Sequence, residues 1–177
     1  MRIIGGILKG RRILPPHFSA RPTTDFAKEG LFNVLENQYD LSEMQVLDLF
    51  AGTGSIGLEF VSRGCKDVTC VEMSPTHAAY IKTLARDLHV EPTLRVVRHN
   101  VFDFIPLCQQ QYDLIFADPP YGLQQLEGIP AKIREAGLLR SGGCFVLEHP
   151  GIYHFASEQG FCKERKYGNV HFSFFEA

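Results

Sequence analysis

Val46-Leu47-Asp48-Leu49-Phe50-Ala51-Gly52-Thr53-Gly54-Ser55-Ile56-Gly57 decides how the rest of this chain is read. Its first five residues form an apolar run of strand length, Val46–Phe50. The glycines at 52, 54 and 57 then mark a tight turn into a helix over Ser55–Arg63, which Gly64 closes. A strand that enters a glycine loop and leaves as a helix opens a βαβ unit, whose ligands gather at the carboxyl ends of the strands. Gly52 and Gly54 let the backbone turn sharply and approach such a ligand closely.

The same alternation continues on the carboxyl side. Val68–Val71 reads as a strand, and Ser74 caps a helix that Pro75 opens and that reaches about His89. Ala78, Ile81, Ala85 and Leu88 step by three and four along its buried side. Leu94–Val97 is a strand, Phe102–Gln109 a short helix, Leu114–Ala117 a strand, Leu126–Ala136 helical and Cys144–Leu147 a strand. Phe161–Tyr167 and Val170–Phe175 flank Gly168-Asn169, a two-residue hairpin signal. On the amino side, Asp25 is expected to cap a helix to about Asn37, with Ala27, Leu31, Val34 and Leu35 on one face. Gly30 weakens that helix. Residues 2–14 read as a short β-hairpin or extended arm that Pro15-Pro16 ends. The expected fold is α/β and Rossmann-like: a mostly parallel sheet with helices on both faces and a terminal antiparallel pair. One domain is expected over 1–177, with a basic amino-terminal arm at 1–24 and a catalytic core at 25–177.

Composition narrows the class. The chain has 177 residues, 45% of them hydrophobic and 21% charged, which suits a globular protein with a sizeable core. No apolar run is long enough to span a bilayer, and no signal-peptide pattern is seen. The five cysteines, at 65, 70, 108, 144 and 162, show no zinc spacing and no disulfide framework, so reduced thiols in the cytoplasm are expected. Cys70 and Cys144 lie in expected strands and read as core residues. The net charge of −2 hides an asymmetry. Residues 1–28 hold six cations against one acid, or +5, and the remainder carries −7. A basic segment on an acidic body fits a partner that is a polyanion. None of the seven histidines joins a nucleophile or metal constellation.

Three motifs carry chemistry. Asp48, four residues before Gly52 and inside the strand, can receive the ammonium of an amino acid. Glu72, ending the next strand, can take a ribose diol in a bidentate hydrogen bond. Asn100 can hydrogen-bond an adenine amino group or cap the helix after it, with Val101 and Phe102 supplying an apolar wall. Gly52-x-Gly54-x-x-Gly57 also matches a dinucleotide fingerprint, so a nicotinamide-dependent oxidoreductase is the competing reading. A dinucleotide loop, though, needs no carboxylate at Asp48, because its pyrophosphate seeks helix N–H groups. The third motif, Asp118-Pro119-Pro120-Tyr121, follows a buried strand that its prolines cannot extend. It sets a carboxylate acceptor beside an aromatic face, which suits a planar base bearing an amino group.

With these residues in place the chain resembles class I S-adenosylmethionine-dependent methyltransferases. It resembles more closely the bacterial 16S rRNA guanine-N2 methyltransferase family. The general motifs are Asp48–Gly54, Glu72, Asn100 and Asp118–Tyr121. The family-level signature is Arg2-Ile-Ile-Gly-Gly6, Lys9-Gly-Arg11, Arg21-Pro-Thr23, Asp25 and Lys28-Glu29-Gly-Leu-Phe-Asn33, with the Tyr167-Gly168 hairpin at the end. The loop has Gly-Thr-Gly where Gly-Ser-Gly is common in the family, and Gly30 stands where a non-glycine residue is expected. The resemblance implies a seven-stranded sheet with an antiparallel last strand. It implies S-adenosyl-L-methionine held by Asp48, Phe50, Ala51, Gly52, Gly54, Glu72, Met73, Asn100, Val101 and Asp118. Asp118, Pro119 and Tyr121 would be the catalytic group, with no metal. Arg11, Arg12 and Arg21 would grip phosphates of 16S rRNA, within the small ribosomal subunit or an assembly intermediate, with the enzyme a cytoplasmic monomer. Arg21-Pro22-Thr23 has a second reading as a lid over the cofactor pocket. Asp-Pro-Pro-Tyr is also shared by enzymes that methylate DNA adenine or cytosine and protein glutamine, so those substrates remain alternatives. A non-catalytic nucleotide-binding module is another.

Overall fold

A computed structural model describes residues 1–14 and 23–177. Arg21 and Pro22, and with them most of the Arg21-Pro22-Thr23 loop, lie outside the described residues. Among the described residues, five helices and seven strands alternate as the periodicity requires. The strands are β1 (Gln45–Leu49), β2 (Asp67–Glu72), β3 (Leu94–Arg98), β4 (Tyr112–Ala117), β5 (Leu139–His149), β6 (Phe161–Tyr167) and β7 (Val170–Glu176). The helices are α1 (Asp25–Gln38), α2 (Ser55–Ser62), α3 (Pro75–Asp87), α4 (Val101–Leu107) and α5 (Ile129–Glu135). The sheet order is β3-β2-β1-β4-β5-β7-β6. The first five strands are parallel, and β7 runs antiparallel to both β5 and β6.

Strand order reverses between β1 and β4, and this switch point leaves a crevice at their carboxyl ends. β1 and β4 are central, so their residues pack on both faces and read as continuous apolar runs. Val46, Val68 and Cys70 face α1, α2 and α3, whereas Leu47, Leu49 and Val71 face α4 and α5. Phe32 of α1 meets Phe60 of α2 edge-on at 4.7 Å. Burying a ring of this size contributes about 1.5–3 kcal/mol.

Several local expectations change in the fold. Thr24, not Asp25, caps α1: its hydroxyl accepts the Ala27 N–H at 3.2 Å. Asp25 instead pairs with Arg2 at 2.9 Å. The expected Leu126–Ala136 helix divides into a short 3-10 turn and α5, because Pro130 lacks an N–H and is tolerated only in a first turn. Gly30 does not loosen α1. A Cβ there would lie 2.1 Å from Tyr167 Cε1, so glycine is what lets the β6–β7 hairpin lay this ring against the helix.

Residues 1–14 are not a free arm. Arg2 and Arg12 form an antiparallel bridge, and Ile3 and Ile13 beside them are buried. The intervening loop is stitched to α2: Ile4 and Gly5 donate N–H groups to the Glu59 carboxylate at 3.0 and 2.8 Å, and Ile7 N–H donates to Ser62 O at 2.8 Å. Lys28, with a side chain 0% exposed, completes the joint. Its ammonium donates to Arg2 O at 2.6 Å and Ser55 Oγ at 3.1 Å, and pairs with Glu59 at 3.1 Å. These three acceptors match the three donors of a lysine.

Candidate functional site

A cavity of about 640 Å³ opens at the switch point, walled by the turns that follow β1, β2, β3 and β4. Each turn brings a different group, because each strand ends at the same edge of the sheet. After β1 the chain passes through Phe50 (φ +58) and Gly52 (φ +56). A phenylalanine in the left-handed region is strained, and such strain gathers at ligand sites. Phe50 is steadied by an edge-on contact with Phe102 at 6.0 Å. A side chain at Gly52 would touch almost nothing, its nearest neighbour being Phe50 O at 3.9 Å, so the bare backbone faces open space.

Two carboxylates stand on opposite sides of this loop. Glu72 accepts the Gly52 N–H through Oε2 and the Ser74 N–H through Oε1, both at 2.8 Å. It therefore fixes the loop while each oxygen keeps a further lone pair for a diol. Asp48, buried in β1, accepts the Gly57 N–H at 3.0 Å and the Cys70 thiol at 3.8 Å. Burial pushes its carboxyl up to about 7, the Gly57 hydrogen bond opposes this, and the nearby Glu72 adds to it. A cationic ligand group would relieve that cost. Asn100 caps α4, its Oδ1 accepting the Phe102 N–H at 2.8 Å, while Nδ2 lies 3.5 Å from Met73 Sδ. Ala51, Met73, Asn100, Val101 and Phe102 line the same wall. Two acids, a bare turn and an apolar slot fit an amino-acid-bearing nucleoside such as S-adenosylmethionine.

The other end of the cavity is built by the turn after β4. Asp118, Pro119 and Tyr121 all line it. Loss of water, then the Glu148 carboxyl, then Asp48 hold the Asp118 pKa well above the carboxylate range. Tyr121 is 37% exposed, and its hydroxyl donates a long 3.4 Å hydrogen bond to Glu148 Oε1. Thr23, which also lines the cavity, donates to Glu148 Oε2 at 2.8 Å.

The fold thus brings together all the residues expected for the cofactor and the reaction except one. Gly54 starts α2 beside Ile81 and is not in the cavity wall. Arg11 and Arg12 are exposed on the amino-terminal bridge, away from the cavity lining. Thr23 lines the cavity, as the lid reading of its segment expected, whereas sequence reasoning missed Glu148. Glu148 stands at the end of β5, just past the expected strand, but only tertiary pairing joins it to Thr23 and Tyr121. Among the described residues no cluster of His, Cys, Asp and Glu could hold a metal ion.

Comparison with known proteins follows the same outline. The family described as conserved hypothetical protein 95 matches residues 1–176. Ribosomal RNA small subunit methyltransferase D of Buchnera aphidicola subsp. Baizongia pistaciae is 30% identical over 149 residues, covering 84% of this chain and 75% of that protein. The protein of the same name from Escherichia coli K12 is 33% identical over 151 residues, covering 84% of this chain and 74% of its own length. A hypothetical protein of Thermus thermophilus superposes with a TM-score of 0.88 at 30% identity, covering 100% of this chain and 99% of that one.

Proposed function

Because this chain belongs to the conserved hypothetical protein 95 family, the ribosomal RNA small subunit methyltransferase D type of S-adenosylmethionine-dependent methyltransferase, we propose that it methylates the N2 amino group of a guanine in 16S rRNA. The observation that carries this reading is the meeting of the glycine loop and the Asp118–Tyr121 turn in one cavity. Asp48 would receive the amino-acid ammonium of S-adenosylmethionine, Glu72 the ribose diol, and the Asn100–Phe102 wall the adenine. Bound there, the cofactor supplies an electrophilic methyl carbon.

The protein's own task is the acceptor. The lone pair of a guanine 2-amino group is delocalised into the ring, which makes it a poor nucleophile. Asp118 and the Pro119 carbonyl would accept its two N–H groups, bias the nitrogen toward pyramidal geometry and aim the lone pair into the cavity. Tyr121 would stack on the splayed-out base, a contact worth about 1–3 kcal/mol. Alignment supplies most of the rest of the acceleration. No strong base is needed, because the nitrogen proton becomes acidic only as the new bond forms, and Asp118 would take it. Arg11 and Arg12 would contact phosphates of the rRNA. Their affinity would then fall with salt.

Three measurements test this reading. S-adenosylhomocysteine, and not NAD, raises the melting temperature. Nucleoside analysis of small-subunit rRNA from a strain lacking the gene shows loss of N2-methylguanosine, and an unchanged profile removes the guanine assignment. Asp118→Ala binds S-adenosylhomocysteine normally and loses turnover by at least about a hundredfold. Near-normal turnover in that variant would sink the role given to Asp118.

A further inference from the structure

Among the described residues, Glu148 is the one carboxylate at this site that the proposed reaction does not use. It sits near the end of β5, 3% exposed, and its two oxygens bond to two different residues of the cavity lining. Oε2 accepts the Thr23 hydroxyl at 2.8 Å and Oε1 the Tyr121 hydroxyl at 3.4 Å. Thr23 precedes α1 and Tyr121 follows β4, so this side chain ties together segments about a hundred residues apart in sequence. Burying a glutamate with no cation in either contact carries a desolvation cost that its two hydroxyl partners offset only in part.

We propose that Glu148 is a positioning residue for methyl transfer: it holds Thr23 and Tyr121 across the acceptor end of the cavity and, from beside Asp118, sets how readily Asp118 becomes the anion that receives an amino group. The groups around it are few. Asp118 faces it from the β4 turn, Tyr121 and Thr23 from the cavity walls, and Phe172 lies opposite on β7. Asp48 faces Asp118 from β1. His149, next in sequence, turns the other way and bonds to Ser173 Oγ at 2.8 Å. Burial pushes the Glu148 carboxyl up to about 7 against the two hydroxyl hydrogen bonds. Adjacent carboxyls do not both ionise readily in such surroundings, so they titrate as a pair. When Asp118 takes the N–H groups of the acceptor as an anion, Glu148 can keep the proton. In that form it still accepts both hydroxyls, so the walls stay in place.

The test follows single-turnover methylation of small-subunit particles from about pH 5.5 to about pH 8.5. Glu148→Gln removes the charge and keeps the shape. With no second carboxyl competing for the pair's single negative charge, Asp118 becomes the anion more readily, so the acid limb of the rate profile moves to lower pH by at least about half a unit. S-adenosylhomocysteine affinity in this variant stays within about twofold of wild type, because other residues build that half of the cavity. Glu148→Ala also releases both walls and lowers the rate at the plateau by about tenfold or more. An acid limb at the wild-type position in Glu148→Gln overturns the proposal, as does a wild-type plateau rate in Glu148→Ala. Should Glu148→Ala fail to bind S-adenosylhomocysteine, the Gln variant alone decides. The inference rests on amino-group methylation at Asp118, and nucleoside analysis of the product reads that separately. A product other than N2-methylguanosine overturns the guanine assignment while the pH limb still decides the role of Glu148. A wild-type enzyme that transfers no methyl to the particle overturns both.

Discussion

Asp48 carries a burial cost that a cationic ligand would relieve. It lies next to the last residue of β1, where loss of water pushes its carboxyl up to about 7 from 3.8. The folded state therefore binds a proton more tightly than the unfolded chain, and this group's contribution to stability declines as pH rises from about 4 to about 7. A ligand ammonium beside it reverses the balance by favouring the anion. S-adenosylhomocysteine binding then expels a proton below pH 7, and affinity rises by about tenfold from about pH 5.5 to about pH 7.5. Calorimetry in buffers of different ionisation enthalpy reads that proton directly. Asp48→Asn should flatten the pH dependence, weaken binding, and raise the melting temperature of the ligand-free protein at pH 8. A slope kept by the Asn variant would place the titrating group elsewhere. Asp48, Gly52, Glu72 and Asp118 were legible in the sequence because each stands at a strand end, where topology alone directs it to the crevice. Glu148 also stands at a strand end, but it was not singled out, because its meaning comes from Thr23 and Tyr121, which only the folded sheet brings to it.

At the scale of elements, alternation and caps were legible, and close approaches between distant segments were not. Ser74 and Pro75 start α3 as their local chemistry dictates, and Gly168-Asn169 turns β6 into β7. Gly30 carries no such local signal: its reason is the Tyr167 ring, which a Cβ would overlap. Gly30→Ala gains about 1 kcal/mol of helix propensity and loses about 1–3 kcal/mol to overpacking, so the single variant is destabilised. In a Tyr167→Ala background the same change should become stabilising, which a denaturant double-mutant cycle measures. An equal effect in both backgrounds would mean that the ring does not set the identity of residue 30. Lys28 makes a parallel case. It counts as part of a basic segment in sequence, yet it is sealed between α1, α2 and the amino-terminal bridge. Lys28→Met leaves Glu59 with only Arg63 as a charged partner among the described residues, at 3.0 Å, and should cost about 3 kcal/mol in urea unfolding. A loss below about 1 kcal/mol would show the joint to be dispensable.

Across the whole molecule, charge is distributed differently from its order in sequence. Of the cations that give residues 1–28 their +5, Lys28 is buried and Arg2 is paired with Asp25. Lys9, Arg11 and Arg12 remain exposed among the described residues, held on a bridge that is itself part of the core. The rest of the chain carries −7, so a polyanion would be repelled by most of the surface and drawn to this face. That arrangement would orient a bound polyanion by this face. It also gives the contact a signature distinct from that of the cavity. Arg11→Gln with Arg12→Gln should weaken binding to small-subunit particles at moderate salt and make the slope of log affinity against log salt shallower by about 1.4, for two single-strand phosphate contacts. S-adenosylhomocysteine affinity should be unchanged, since neither arginine lines the cavity. A titration of particle binding at several potassium concentrations checks both statements. A parallel displacement of the two lines, with the slope preserved, would mean that Arg11 and Arg12 support the amino-terminal bridge and leave the phosphates to other residues.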